Sequence, residues 1–227
     1  MMLSSALSSL ISANMLRPVA VATGETIAMV LVSLVFAELI GTPLGILLVL
    51  TGPRGLARND GLYTVLNTAV NIGRSIPFVI LMVAIVPFTR FITGTSVGTA
   101  AAMVPLTISA IPFVARITES AMLTVEPGVI DACISMGASR YQIVKYVLVP
   151  ECLSSLISGA AITAVNLVGY SAMAGAIGGG GLGDLAIRYG YQRWEPAVMA
   201  LCVIVLVCLV QGIQYVGDSV ARRYIWK

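Results

Sequence analysis

The chain alternates long apolar stretches with short, polar, turn-rich segments. The first strong stretch covers about residues 26–50, interrupted in its second half by Gly41, Pro43 and Gly45. At 1.5 Å of rise per residue, roughly 25 residues cross a bilayer with some tilt. The second covers about residues 62–88. Its first half is unusually polar (Asn67, Asn71, Arg74, Ser75), and Pro77 then precedes the apolar run 78–86. The third covers about 97–117 and carries Pro105 and Pro112, the fourth about 153–177, and the fifth about 196–216. This pattern predicts an all-α membrane protein of five transmembrane helices, one domain over residues 1–227. Residues before about 20 are uncharged until Arg17 and lack the basic start of a signal peptide.

Composition agrees with the pattern. Hydrophobic residues make up 58% of the 227 and charged residues only 10%, against about 25% in a soluble domain. That excludes a water-soluble enzyme, a disordered chain and a nucleic-acid binder; the bilayer is the solvent for most of the chain. With no His, the chain lacks the commonest general base near neutral pH and the commonest metal ligand. Cys133, Cys152, Cys202 and Cys208 show no C-x-x-C spacing. They read as inert small hydrophobes with no disulfide.

Charge sidedness sets an orientation. With the N-terminus outside, eight Lys/Arg fall on the inner side and four on the outer, with Arg74 inside a span. That bias predicts N-out, C-in. Tyr224 and Trp226 beside basic residues fit an inner interfacial anchor, and Trp194 an outer one. Gly41-x-x-x-Gly45 and Gly175-x-x-x-Gly179 fit close helix packing or chance in Gly-rich spans. No inverted repeat is evident, which weighs against repeat-built secondary transporters.

The cytoplasmic region 119–151 is longer than a connection needs, and it is patterned. Glu126-Pro127 opens a short helix. Ile130, Cys133 and Ile134 recur at helical spacing, and Gly137 suits the left-handed residue that ends it. Ser139-Arg140-Tyr141-Gln142 reads as a capping box starting a second helix that runs to Pro150. The pattern fits either a docking element or an amphipathic helix lying on the membrane surface.

Asp131-Ala132-Cys133-x-x-x-Gly137, then nine residues, then Val147-x-Val149-Pro150 resembles the EAA motif of ABC-importer permeases, E-A-A-x-x-x-G-x9-I-x-L-P. Asp replaces Glu, Cys replaces the second Ala, and Val replaces both Ile and Leu; the spacing holds. Asn71–Phe78, Val86–Arg90, Leu167–Met173 and Gly178–Gly183 leading to Arg188–Tyr191 are similar to the permease subunit of bacterial methionine ABC importers. The likeness covers about residues 22–220.

The resemblance implies a type I ABC importer permease fold with a coupling helix between helices 3 and 4, assembled as a homodimer in the inner membrane. It implies two cytoplasmic ABC ATPase subunits, which hold ATP and Mg, and a methionine-binding lipoprotein outside. The substrate it implies is methionine, L- and D-. On the matching positions it makes Asp131, Ala132, Cys133, Gly137, Ala138 and Pro150 the ATPase-coupling residues. No G-x-x-x-x-G-K-[ST] loop is present to cradle ATP, so the chain binds no cofactor and energy must arrive through a docked helix.

For the pathway or gate the candidates are Arg74, Ser75, Pro77, Tyr170, Ser171 and Met173. A zwitterion with an apolar tail needs a smooth, mostly apolar passage, and a polarizable thioether lining suits a thioether cargo. In the family the Met matching Met173 helps close the pathway. The same residues also fit plain helix packing. An Arg inside a span costs roughly 2.5–3.5 kcal/mol on insertion scales, so Arg74 should face the pathway, a partner span or the inner interface. Glu38 is protonated or paired, with Arg74 as one candidate partner.

Two motifs mislead. Gly178-x-Gly180-x-x-Gly183 follows a membrane span, not a β-strand, so it is no dinucleotide site; it reads as an adaptable outer loop facing the binding protein or as a linker. Gly181-Leu-Gly183-Asp184 matches the intramembrane aspartyl protease string, but Asp60, Asp131 and Asp218 all sit near inner boundaries and give it no partner carboxylate. The alternatives left are a permease for another amino acid, a stand-alone secondary transporter or channel, and an intramembrane protease.

Overall fold

A computed structural model describes residues 13–225, and every regular element in it is helical. In chain order these are α1 (Ala13–Thr51), α2 (Asp60–Ser75), α3 (Phe78–Ala84), α4 (Val86–Thr93), α5 (Thr99–Met122), α6 (Pro127–Ser135), α7 (Arg140–Ile143), α8 (Val149–Glu151), α9 (Leu153–Gly175), α10 (Gly181–Leu185) and α11 (Pro196–Ile225). Wide π-helical turns at Val144–Leu148 and Ala186–Gln192 continue α7 and α10. Trp226 and Lys227, read as part of an inner anchor, and the residues before Ala13 lie outside the described residues.

Among the described residues, four helices are long and apolar enough to cross a membrane: Met15–Thr51, Thr99–Met122, Leu153–Gly175 and Pro196–Tyr224. The stretch predicted as a continuous second span is instead broken. α2 and α3 meet at 101°, so the count is five only if this bent pair is one span. The cause is local. Pro77 has no N–H to donate and forces the preceding residue out of the helical region, and Ile76 is extended at φ −81°, ψ 121°. The first helix also begins well before residue 26.

The chain divides into two compact units. One draws on the residues up to Val35, on Pro77–Ile108 and on Ala164–Gln214. Its core packs Val19 and Ala22 of α1 on Leu182, Leu185 and Ala186, with Val198 and Cys202 of α11. The other draws on Phe36–Ile76, Ser109–Thr163 and the segment from Tyr215 on. There Gly41 and Gly45 lie against α5. A Cβ at Gly41 would sit 2.7 Å from Val114 Cβ, and one at Gly45 2.6 Å from the Ala115 carbonyl oxygen. This pair is therefore a helix-crossing motif, because only hydrogen lets the backbones approach so closely. Gly175 and Gly179 do not share a helix face, since α9 ends at Gly175.

Polar side chains inside the apolar helices mostly bond to their own backbone. The hydroxyls of Thr23, Thr51, Thr107 and Thr163 each donate to the carbonyl four residues back, at 2.7–2.8 Å. In hydrocarbon an unpaired hydroxyl costs several kcal/mol, so these returns are needed. The outward residues are large and apolar: Leu31, Val35, Leu39, Val203, Ile204 and Val207 are all exposed. A surface of that kind is wrong for water and right for lipid or a second helix layer.

Candidate functional site: a capped helix pair between two long helices

The segment from Val125 to Cys152 is organised by local capping. Pro127 opens α6 from the extended Glu126 (φ −64°, ψ 126°). Gly137 closes it at φ +82°. Two bonds complete a Schellman turn: the Ala138 N–H donates to the Cys133 carbonyl at 3.0 Å, and the Gly137 N–H to Ile134 at 2.9 Å. The predicted capping box is present. Ser139 Oγ accepts from the Gln142 N–H at 3.3 Å, and Gln142 Oε1 accepts from the Ser139 N–H at 2.7 Å.

Pro150 does not stop the second helix as the sequence predicts. The π turn at Val144–Leu148 widens the helix just before Pro150, whose ring would otherwise press on a carbonyl in the preceding turn. The chain stays helical to Glu151, bends at Cys152 (φ −96°, ψ 10°) and enters α9.

The two faces of α6 differ. Ile130 and Cys133 pack inward, with Ala138, against Ala121, Met122, Val125, Ile143, Leu148 and Cys152. Asp131, Ala132, Ile134, Ser135 and Gly137 are exposed, and Met136 is 77% exposed. Tyr141 and Tyr146 also point outward, with the Lys145 ammonium 5.6 and 5.3 Å from their ring centroids. The arrangement is an apolar patch with few charges, fixed to the end of α5 by a buried cluster. Of the predicted coupling residues, Asp131, Ala132, Gly137 and Pro150 are on the outside, while Cys133 and Ala138 are half-buried packing groups. All four cysteines are free. Burial pushes the Cys152 thiol up, and its sulfur donates to the Leu148 carbonyl, which makes it a poor nucleophile.

The predicted pathway residues are less uniform. Arg74 and Ser75 end α2 in exposed positions, and the Ser75 hydroxyl donates to the Asn71 carbonyl at 2.8 Å. Glu38 accepts from Thr42 Oγ1 at 2.8 Å, and no ion pair joins it to Arg74 among the described residues. Pro77 is exposed, and Phe78 beside it stacks on Tyr170 with centroids 4.7 Å apart and planes within 5°. Met173 is exposed on the same helix as Tyr170. Ser171 is buried and donates to the Val168 carbonyl at 2.8 Å, so it is a packing residue and not a lining one.

The glycine-rich segment is not an adaptable loop. Gly181, Leu182, Gly183 and Leu185 are buried. The start of α10 is capped from α1: Glu25 Oε2 accepts from the Gly181 N–H at 2.7 Å, and Thr26 Oγ1 from the Leu182 N–H at 2.9 Å. A carboxylate there also complements the positive end of the turn. Asp184 pairs with Arg188, which gives it a structural partner in place of a catalytic carboxylate.

Sequence reasoning missed one cluster. Arg116, an inner-side charge near the end of the third predicted stretch, lies on α5 and donates to Glu119 at 2.5 Å and to Asn67 and Asn71 of α2 at 2.7 Å each. The signal was available, as Asn67 and Asn71 stand at i, i+4 on a polar face.

Residues 41–223 match the family described as the inner membrane component of binding-protein-dependent transport systems. The probable D-methionine transport system permease protein MetI of Vibrio cholerae is 52% identical over 202 residues, 89% of this chain and 90% of that protein. The D-methionine transport system permease protein MetI of Escherichia coli strain K12 is 50% identical over 151 residues, 66% of this chain and 70% of that protein. Among solved structures, an inward-facing MetNI methionine ABC transporter has a chain that matches with a TM-score of 0.92 at 47% identity, covering 94% of this chain and 99% of that one. A chain of an amino acid ABC transporter at 15% identity shares the fold, with a TM-score of 0.77 over 92% of this chain and 95% of that one.

Proposed function

The chain belongs to the family of inner membrane components of binding-protein-dependent transport systems, and from that premise we propose that it is the transmembrane subunit of an ATP-driven methionine importer. It works by alternating access, as a homodimer in the bacterial inner membrane. It is not itself an enzyme: a pair of ABC ATPase subunits on the inner side binds ATP and Mg, and a methionine-binding lipoprotein delivers L- or D-methionine from outside. The bent pair α2–α3 counts as the second of five spans, with the N-terminus outside and the C-terminus inside.

The observation that carries the mechanism is the two-faced α6. Its inner face is locked to the end of α5, and its outer face offers Ile134 and Met136 with few charges. A rigid helix so mounted passes the closing of an ATPase dimer to the spans it joins, and differential contacts in the two states shift their populations. The tightly capped Gly137 turn favours docking over a helix that lies on lipid, because it fixes the direction of the outward patch. Pro77, Tyr170 and Met173 supply the apolar, aromatic and thioether surface that methionine requires, with Phe78 stacked against Tyr170, and Arg74 with Ser75 marks the end of α2 next to the Pro77 break.

Uptake of labelled methionine by reconstituted vesicles tests the whole reading. It requires the ATPase subunits; uptake that persists without them excludes an ATP-driven importer. Competition by a panel of amino acids tests the substrate. For α6, Gly137→Pro inserts and dimerises normally yet abolishes stimulation of the ATPase. Normal stimulation in that variant rules out α6 as the coupling helix.

A further inference from the structure

A charged pair lies at the end of α5 where the fold alone does not require one. The Glu119 side chain is 5% exposed and that of Arg116 26%. Ionisable groups buried within the long apolar helices of a membrane protein are costly and tend to be functional. Arg116 Nη1 donates to Glu119 Oε2 at 2.5 Å. Its Nη2 donates to both Asn67 Oδ1 and Asn71 Oδ1 at 2.7 Å. The Tyr63 hydroxyl donates to the other Glu119 oxygen at 3.5 Å. Tyr63, Asn67 and Asn71 fall at i, i+4, i+8 and so form one stripe along α2. Arg116 Nε is buried without an acceptor, the one such side-chain atom among the described residues. The guanidinium is thus held by its ends: Nη1 is fixed on Glu119 of its own helix, and Nη2 ties α5 to α2.

Glu119 sits one turn before Met122, and Met122 and Ala121 belong to the buried cluster that carries Ile130 and Cys133 of α6. A push on α6 therefore arrives at the last turns of α5 as a rigid displacement. A planar five-donor fork passes displacement along better than apolar contact, which lets helices slide. At its far end α2 meets the break at Pro77.

We infer that Arg116 is a positioning residue of the transport cycle: it clamps Asn67 and Asn71 so that α2 moves with the docking helix. This rests on the reading of α6 as that helix. Without the clamp, ATPase closure still moves α5 but α2 lags, and ATP is hydrolysed with less cargo moved.

The test uses the complete reconstituted transporter, with the ATPase and binding protein, and reads methionine imported per ATP hydrolysed. Asn67→Ala/Asn71→Ala leaves the Arg116–Glu119 pair intact and removes both α2 acceptors. The ratio falls about tenfold, within the range by which residues between coupled sites modulate coupling. Asn67→Ala/Asn71→Asp restores one charge-assisted acceptor and recovers most of that loss. Should the double variant fail to assemble, Arg116→Lys gives the same comparison, since a point charge cannot hold Glu119 and both amides together. A merely structural role lowers uptake and hydrolysis together and leaves the ratio at the parent value, which overturns the assignment. Gly137→Pro, run alongside, separates the two readings. If it loses ATPase stimulation while the Asn variants keep a parental ratio, α6 docks but Arg116 does not transmit. If it keeps stimulation, the docking reading fails and this inference fails with it.

Discussion

Two turn-rich segments interrupt the long helices, and they are held by opposite means. The segment from Val125 to Cys152 closes its turn with its own residues: Ala138 bonds back to Cys133, and Ser139 and Gln142 cap each other. No residue of α6 is buried. The segment from Gly175 to Gln192 is buried at Gly181, Leu182, Gly183, Leu185 and Gly190, and its capping groups, Glu25 and Thr26, stand 156 residues away in sequence. A locally capped element keeps its shape while its surroundings move, which suits a piece that docks a mobile partner. A distantly capped one keeps its shape only while the unit around it stays assembled. The comparison predicts that damage to the first is local and functional, while damage to the second is global.

The largest effect should come from Gly175→Val. A Cβ there would stand 2.7 Å from the Gly183 carbonyl carbon, and backbone cannot move aside as a flexible side chain can. Overpacking a tight contact costs about 3 kcal/mol. We expect a lower midpoint of thermal unfolding for the detergent-purified protein and little folded material. A normal melting profile would show that the segment is a tolerant loop after all and would erase the contrast between the two regions.

Legibility in sequence follows the same division. Gly137, Ser139 and Gln142 lie within six residues of one another, so their turn and box read directly from residue types. The long apolar helices read as easily, because about 20 apolar residues have few other uses. What the sequence could not give is whatever depends on a distant partner. Gly178–Gly183 read as an adaptable loop because nothing nearby pairs with its backbone; Glu25 does, from another helix. Ser171 read as pathway lining because its neighbours did, yet its burial depends on helix rotation. Arg116 read only as an inner-side charge at the end of the third stretch, because its acceptors lie 45 and 49 residues back. The break at Pro77 was visible as a proline within an apolar run. Its 101° bend was not, since proline in a membrane helix is tolerated as a mild kink as often as a break.

Removing the distant cap is the next largest change. Glu25→Leu leaves the Gly181 N–H without its acceptor in an apolar setting, which costs about 2 kcal/mol. Glu25→Gln keeps an oxygen in place and should recover more than half of that loss. Thermal melts of the two variants, measured side by side, read the difference. Equal melts for Leu and Gln would mean that the bond at 2.7 Å carries no stability and that packing alone holds the segment.

The smallest effect sharpens the other side. Ser139→Ala removes one half of the capping box on an exposed turn, where water replaces the lost acceptor. N-cap losses of this kind run from about 0.5 to 2 kcal/mol, and exposure puts this one near the bottom of the range. The melt of the whole protein should barely shift, because the core cluster of Met122, Ile143 and Leu148 is untouched. Hydrogen exchange should instead quicken at the amides of Gln142 and its neighbours in the first turn of α7, and nowhere in α9. Exchange that quickens throughout α9 as well would mean that the segment from Val125 to Cys152 is not a locally stabilised piece but part of one cooperative unit with the helix that follows it. The π turn before Pro150 would then transmit disorder as well as force.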